Sequence, residues 1–84
     1  MIYGNTDFIK VDSSVVDSVY YNEMTNVLYV KFVDDSIYLY SGIPFSTYQS
    51  FLMSESKGNF INTRITGYPY LKLIQNEHEK IKLN

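Results

Sequence analysis

The chain has 84 residues, 9.8 kDa, no cysteine, no tryptophan and a formal charge of −2 from seven Lys and Arg against nine Asp and Glu. A chain this short buries roughly 64% of its extended surface, enough for one core, and with no thiol it has neither a disulfide framework nor a cysteine metal or nucleophile site. A pI near 5.1 is the wrong sign for counterion release from long duplex DNA, and neither a basic-then-apolar leader nor an apolar run of about 18 residues occurs, so a cytoplasmic domain without a membrane partner is expected.

In chain order, residues 1–12 read as an N-terminal extension. Ser14 to Asn22 carries the β-branched and aromatic bias of a strand, and Asn22 to Asn26 is polar turn material. Val27 to Val33 alternates as a second strand, Asp34-Asp35 reads as a two-residue loop, and Ile37 to Tyr40 alternates as a third. Gly42 and Pro44 end that meander. Tyr48, Phe51, Leu52 and Glu55 then fall at helical spacing, with Ser46 or Thr47 near the start and Lys57-Gly58 as a stop. Phe60, Ile61 and Ile65 anchor a second short helical or irregular piece. Tyr68 precedes proline and so begins an extended segment running to Ile74; Gln75 to Asn84 is a charged tail. The expected architecture is α+β: a three-stranded antiparallel meander, one or two short helices on one face, and a C-terminal extended segment.

Nine Tyr and five Phe make 17% of the chain, more than so small a core needs. With a two-residue second loop, Tyr29 pairs with Tyr40 and Lys31 with Tyr38. With Asn22 opposite Val27 in the first hairpin, Tyr20 lies beside Tyr29 and Ser18 beside Lys31. Tyr20, Tyr29, Lys31, Tyr38 and Tyr40 then share one sheet face, while Val19, Tyr21, Leu28, Val30, Phe32, Ile37 and Leu39 form the bed for the helix. Three roles compete for the tyrosine face: shielding the sheet, packing two copies together as a homodimer or higher homo-oligomer, or stacking nucleobases with Lys31 at a phosphate.

Two polar clusters join that face as binding candidates. Ser13-Ser14 offers hydroxyls and backbone amides at a strand start, and Ser56-Lys57-Gly58-Asn59 with Asn62 and Arg64 offers two cations and two amides within nine positions. Strand-end or helix-end capping is the competing reading of each. Arg64 is the stronger phosphate anchor because its planar fork bonds bidentately. Catalysis has little basis: the single histidine, His78, stands in Glu77-His78-Glu79 near the C-terminus, where adjacent side chains do not converge on a metal. No cofactor, metal or catalytic residue is expected.

Ser13-Ser14, Val16, Ser18, Tyr21-Asn22, Leu28-Tyr29-Val30-Lys31-Phe32, Tyr38-Leu39-Tyr40, Gly42-Ile43-Pro44, Tyr48, Leu52, Ser56-Lys57-Gly58, Phe60, Asn62 and Tyr68-Pro69-Tyr70 together resemble the KTSC domain. Its hallmark is the Tyr-x-Tyr of Tyr38 and Tyr40. The resemblance assigns residues 13–74 to a KTSC-like domain, a family of stand-alone bacterial and phage proteins that also follows some lysyl-tRNA synthetases, and so it implies an RNA partner. This chain departs from that pattern at Asp35, where a turn glycine is expected, at Thr66, where a basic residue is, and at Tyr20 and Tyr29, which add aromatic surface. These changes favour a compact ligand over a long polyanion. The resulting expectation is a non-catalytic module for a nucleotide-type ligand, a short RNA element or a small cyclic or modified nucleotide; in a phage it would sequester a nucleotide immune signal in the host cytoplasm. The alternative is a structural self-association or protein-docking module with no small ligand.

Overall fold

The computed structural model describes residues 8–73; the charged tail, His78 and the first seven residues lie outside them. Five strands form one antiparallel sheet in sequence order: β1 (Ile9–Lys10), β2 (Val16–Asn22), β3 (Val27–Phe32), β4 (Ile37–Ser41) and β5 (Tyr70–Leu73). Between β4 and β5 run α1 (Phe45–Met53), α2 (Lys57–Phe60) and a π-helical turn, Ile61–Ile65. The α+β class and the central meander therefore hold, but the sheet has five strands rather than three. Tyr68-Pro69 delivers β5 to the free edge of β4, and Ile9–Lys10, within the stretch read as an extension, pairs with Ser18–Val19.

The first hairpin has the expected register, with Asn22 opposite Val27, Tyr20 opposite Tyr29 and Ser18 opposite Lys31. Asn26, at φ 59°, closes its four-residue loop in the left-handed region that asparagine tolerates. The second hairpin is one residue out of the expected register. Leu28 faces Tyr40, Tyr29 faces Leu39, Val30 faces Tyr38 and Lys31 faces Ile37.

The reason lies in the loop, which has three residues rather than two. The Asp35 amide donates to the Phe32 carbonyl at 2.9 Å and the Phe32 amide to the Ser36 carbonyl at 2.9 Å, while Asp35 itself takes φ 75°. This is a turn followed by a left-handed bulge residue, the usual three-residue hairpin. The Asp34 carboxylate supports it by accepting from the Ser36 amide (3.0 Å) and hydroxyl (2.6 Å).

Because side chains alternate with a period of two, a shift of one exchanges the faces of β4. Tyr38 and Tyr40 turn towards the helices, and Ile37 and Leu39 turn away. The expected single row of tyrosines is thereby split between the two faces.

The core lies between the helix-side face and the α1–π-turn segment. Val16, Val19, Leu28 and Val30 of the sheet, with Ile43, Phe51 and Ile65, are fully buried, and Tyr21, Tyr40, Tyr48, Phe60 and Ile61 complete the cluster. A bulge at Asp17, where Val16 pairs with Phe32 but Ser18 with Lys31, rotates Val16 into this core. Helix α1 starts after Pro44 with no side-chain cap, contrary to the expectation for Ser46 or Thr47. It buries Tyr48 and Phe51 at i, i+3 spacing and leaves Leu52 and Met53 outside. Lys57-Gly58 opens α2 rather than stopping α1, because Ser56 caps the new helix by accepting from the Asn59 amide at 3.2 Å.

Candidate functional site: a tyrosine-walled cleft

The cleft is built around Val15. Its amide and that of Val16 both donate to the Ser13 hydroxyl oxygen at 3.1 Å, which folds the 12–15 segment into a tight turn before β2. Its carbonyl accepts from the Val33 amide at 2.9 Å, tying that turn to the second hairpin. Its side chain packs against Gly58, where a β-carbon would meet Val15 Cβ and Cγ2 at 3.3 Å. Three segments distant in sequence thus meet at one residue, and an open cleft of about 1160 Å³ lies between them and the sheet. That volume is above the roughly 300–1,000 Å³ typical of small-ligand sites, so size does not exclude a nucleotide.

One wall is aromatic. Tyr38 and Tyr40 stand side by side on β4, nearly parallel, with ring centroids 6.1 Å apart. Tyr70 joins them from β5, 5.6 Å from Tyr38 and 5.9 Å from Tyr40, and Phe32 meets Tyr38 edge-on at 5.6 Å. Lys72, directly across from Tyr38 in the sheet, holds its ammonium 5.7 Å from that ring's centre. Exposure rises across this wall from Tyr40 at 4% to Tyr70 at 57%. Burial, and secondarily the neighbouring Tyr38 and Tyr70 phenols, push the Tyr40 hydroxyl's pKa above its ordinary 10.0.

The remaining lining is polar. Ser13, Ser14 and Ser36 contribute hydroxyls from the loops, and Ser56, Lys57, Asn59, Asn62 and Thr66 come from the helical segment. The Lys57 ammonium donates to the Ser54 carbonyl at 2.8 Å, which fixes its stem and leaves further N–H donors. In the π turn the Thr66 amide reaches back five residues to the Ile61 carbonyl, and the Thr66 hydroxyl donates to the Asn62 carbonyl at 3.0 Å. Asp12, Asp34 and Glu55 share the lining, so its carboxylates outnumber its cations, Lys57 and the Lys72 that borders the tyrosine wall.

Six of the ten residues singled out from sequence therefore converge: Ser13, Ser14, Tyr38, Tyr40, Lys57 and Asn62 all line the cleft. The other four do not. Tyr20 and Tyr29 lie on the opposite, open face of the sheet with Phe8, the Tyr20 and Tyr29 rings being 5.4 Å apart. Lys31 follows them there, 3.8 Å from the Asp35 carboxylate. Arg64 lays its guanidinium 4.8 Å from the centre of the Phe60 ring and is outside the cleft lining. Sequence reasoning overlooked Phe32, Ser36, Thr66 and above all Tyr70 as lining residues. Tyr70 had a signal, the Tyr-Pro-Tyr element, but its role depends on a β4–β5 pairing that no local pattern announces.

A five-stranded antiparallel sheet, a short two-part helical segment across one face, and a cleft walled by a Tyr-x-Tyr strand define a small α+β domain. The KTSC domain family model matches residues 12–70, and the chain belongs to that family. A crystal structure of a KTSC domain protein from Yersinia pestis superposes with a TM-score of 0.76 at 29% identity, covering 80% of this chain and 96% of that one. No curated protein matches the sequence. Among the described residues there is no cluster of His, Cys, Asp and Glu able to hold a metal ion, and no helix long and apolar enough to cross a membrane.

Proposed function

We propose that this chain is a non-catalytic binding module for a nucleotide-type ligand, held in the cleft rather than on the open face. The observation that supports it is the meeting of a three-tyrosine wall with two polar clusters, Ser13-Ser14 and Ser56 to Asn62, from opposite ends of the domain. Ring stacking of a base contributes roughly 1–3 kcal/mol and tolerates any base, while the Lys57 ammonium and the serine hydroxyls suit a single phosphate or a ribose. The carboxylates of Asp12, Asp34 and Glu55 oppose a long polyanion. A short RNA element or a small cyclic or modified nucleotide is therefore the favoured ligand, and in a phage such a domain would act as a sponge for a nucleotide signal in the host cytoplasm.

Thermal-shift measurements against a panel of mono-, cyclic and oligonucleotides test this, because a ligand that binds only the folded state raises apparent stability. Tyr38→Ala should abolish the shift and Tyr29→Ala should leave it intact. A panel that produces no shift at millimolar concentration would exclude nucleotides. Self-association is a second reading, favoured by the Phe8–Tyr20–Tyr29 ring cluster on the open face together with Leu71, which is 68% exposed. Its occupant would be a second copy, and the two readings are compatible because they use opposite faces.

A further inference from the structure

Tyr40 is 4% exposed, yet its phenol has no hydrogen-bond partner among the described residues. Buried phenols normally find one. Tyr21 shows the norm: its hydroxyl donates to the Ile43 carbonyl at 2.6 Å and accepts from the Asn26 amide at 2.8 Å. Tyr48 is a second buried phenol without a partner among the described residues, but it is stacked on Tyr21 at 4.6 Å and lines no part of the cleft. Tyr40 is in the cleft wall. Tyr40, unlike Tyr48, is therefore a phenol unpartnered among the described residues at a place where a molecule in the cleft can supply the partner.

We propose that the Tyr40 hydroxyl donates a hydrogen bond to an acceptor atom on the edge of a nucleobase that enters among the Tyr38 and Tyr70 rings. The inference rests on reading the cleft as a nucleotide site and adds the part of the ligand that is recognised. The Tyr38 and Tyr70 rings, 6.1 and 5.9 Å from that of Tyr40, surround it with aromatic surface on which a flat base is desolvated at less cost than a phosphate, while the Lys72 ammonium, 5.7 Å from the centre of the Tyr38 ring, and Lys57 in the lining are left for a phosphate. A flat heteroaromatic edge loses little there and gains both ring contacts and the one waiting donor. Burial holds the pKa of the phenol above its ordinary 10.0, so it is protonated at neutral pH and can donate. A site with a buried donor discriminates against a ligand that lacks the matching acceptor, so Tyr40 would choose among bases that the tyrosine wall alone would accept equally.

Titration calorimetry of wild type, Tyr38→Ala, Tyr40→Phe and Tyr48→Phe against the ribonucleoside 5′-monophosphates and 3′,5′-cyclic monophosphates tests this. Both phenylalanine variants delete a phenol that has no partner among the described residues and should melt no lower than wild type. Tyr40→Phe should weaken the best-bound nucleotide by about tenfold and level the preference among bases, whereas Tyr48→Phe should change neither. Unchanged affinity and base preference in Tyr40→Phe would overturn the inference while leaving the cleft site standing, provided Tyr38→Ala has lost binding. Failure of wild type to bind any of these nucleotides or a short oligoribonucleotide added to the panel, or undiminished binding by Tyr38→Ala, would overturn the cleft reading and the inference with it.

Discussion

Gly58 and Val15 approach so closely that a β-carbon on the glycine would lie 3.3 Å from two carbons of the valine. The same valine accepts a hydrogen bond from Val33, so the start of α2, the turn before β2 and the second hairpin share one junction. A large side chain at position 58 must push the 12–15 turn off the helix. Gly58→Leu should destabilise the domain by about 1–3 kcal/mol, the usual cost of overpacking, and Val15→Ala in that background should restore part of the loss. Gly58→Ala should be close to neutral, because a gain of about 1 kcal/mol in helix propensity offsets the tight contact. Urea denaturation of the four proteins measures all three effects.

Asp35 holds φ 75°, where side chains with a β-carbon are strained and glycine is not. Asp35→Gly should therefore stabilise the domain by up to about 1 kcal/mol, since the exposed 3.8 Å pair with Lys31 contributes little. Asp35→Val should cost about 1–2 kcal/mol. Chemical denaturation of the two variants would decide it; equal stabilities would mean that the left-handed bulge does not set the hairpin.

Among the described residues, two carboxylates and two phenols contribute to the response to pH. Hydrogen bonds from Lys10 and then Ser18 lower the Asp17 pKa, and those from the side chain and then the backbone of Ser36 lower that of Asp34. A depressed folded-state pKa contributes stability above the unfolded value of 3.8 that is lost as pH falls through the folded value. Asp17→Asn and Asp34→Asn should each flatten the acid limb of a plot of melting temperature against pH. The alkaline limb has the opposite sign. Burial raises the Tyr48 pKa, as it does that of Tyr40, so the unfolded chain ionises first and stability falls as pH rises past 10.0. The double variant Tyr40→Phe, Tyr48→Phe should move that fall to higher pH.

The open face makes a separate prediction. Tyr20, Tyr29, Leu39 and Leu71 occupy one rung across β2 to β5, Phe8 just before β1 meets the rings of Tyr20 and Tyr29, and the charges beside them are paired, Lys10 with Asp17 at 2.8 Å and Lys31 with Asp35. If two copies meet there, Leu71→Lys should shift sedimentation from dimer to monomer while nucleotide binding and melting temperature stay close to wild type. A wild type that sediments as a monomer at micromolar concentration would remove the self-association reading.

What could be read from sequence follows the range of the interactions involved. The first hairpin was legible because both strands alternate strongly and Asn26 closes the loop; the core anchors Phe51, Phe60, Ile61 and Ile65 were legible from helical spacing. The second hairpin was not, since Asp34-Asp35 suits a two-residue loop and a three-residue loop alike, and only the backbone conformation of Asp35 separates them. The departure from the family's glycine at that position was the available sign that a left-handed residue belongs there. The cleft depended on that register and on β5, whose partner lies some thirty residues earlier. For the same reason the clusters around Ser13 and Lys57 gave no sign in sequence that they belong to one site; Gly58 and Val15 bring them together only in three dimensions.

β5 divides its four residues between the two surfaces: Tyr70 and Lys72 face the cleft, and Leu71 and Leu73 the open side. Adjacent residues therefore serve different surfaces. Substitutions at 70 and 72 change the cleft while those at 71 and 73 leave it untouched, and the reverse holds for the open side. An inserted or deleted residue, by contrast, would exchange the two sets of side chains between the surfaces at once.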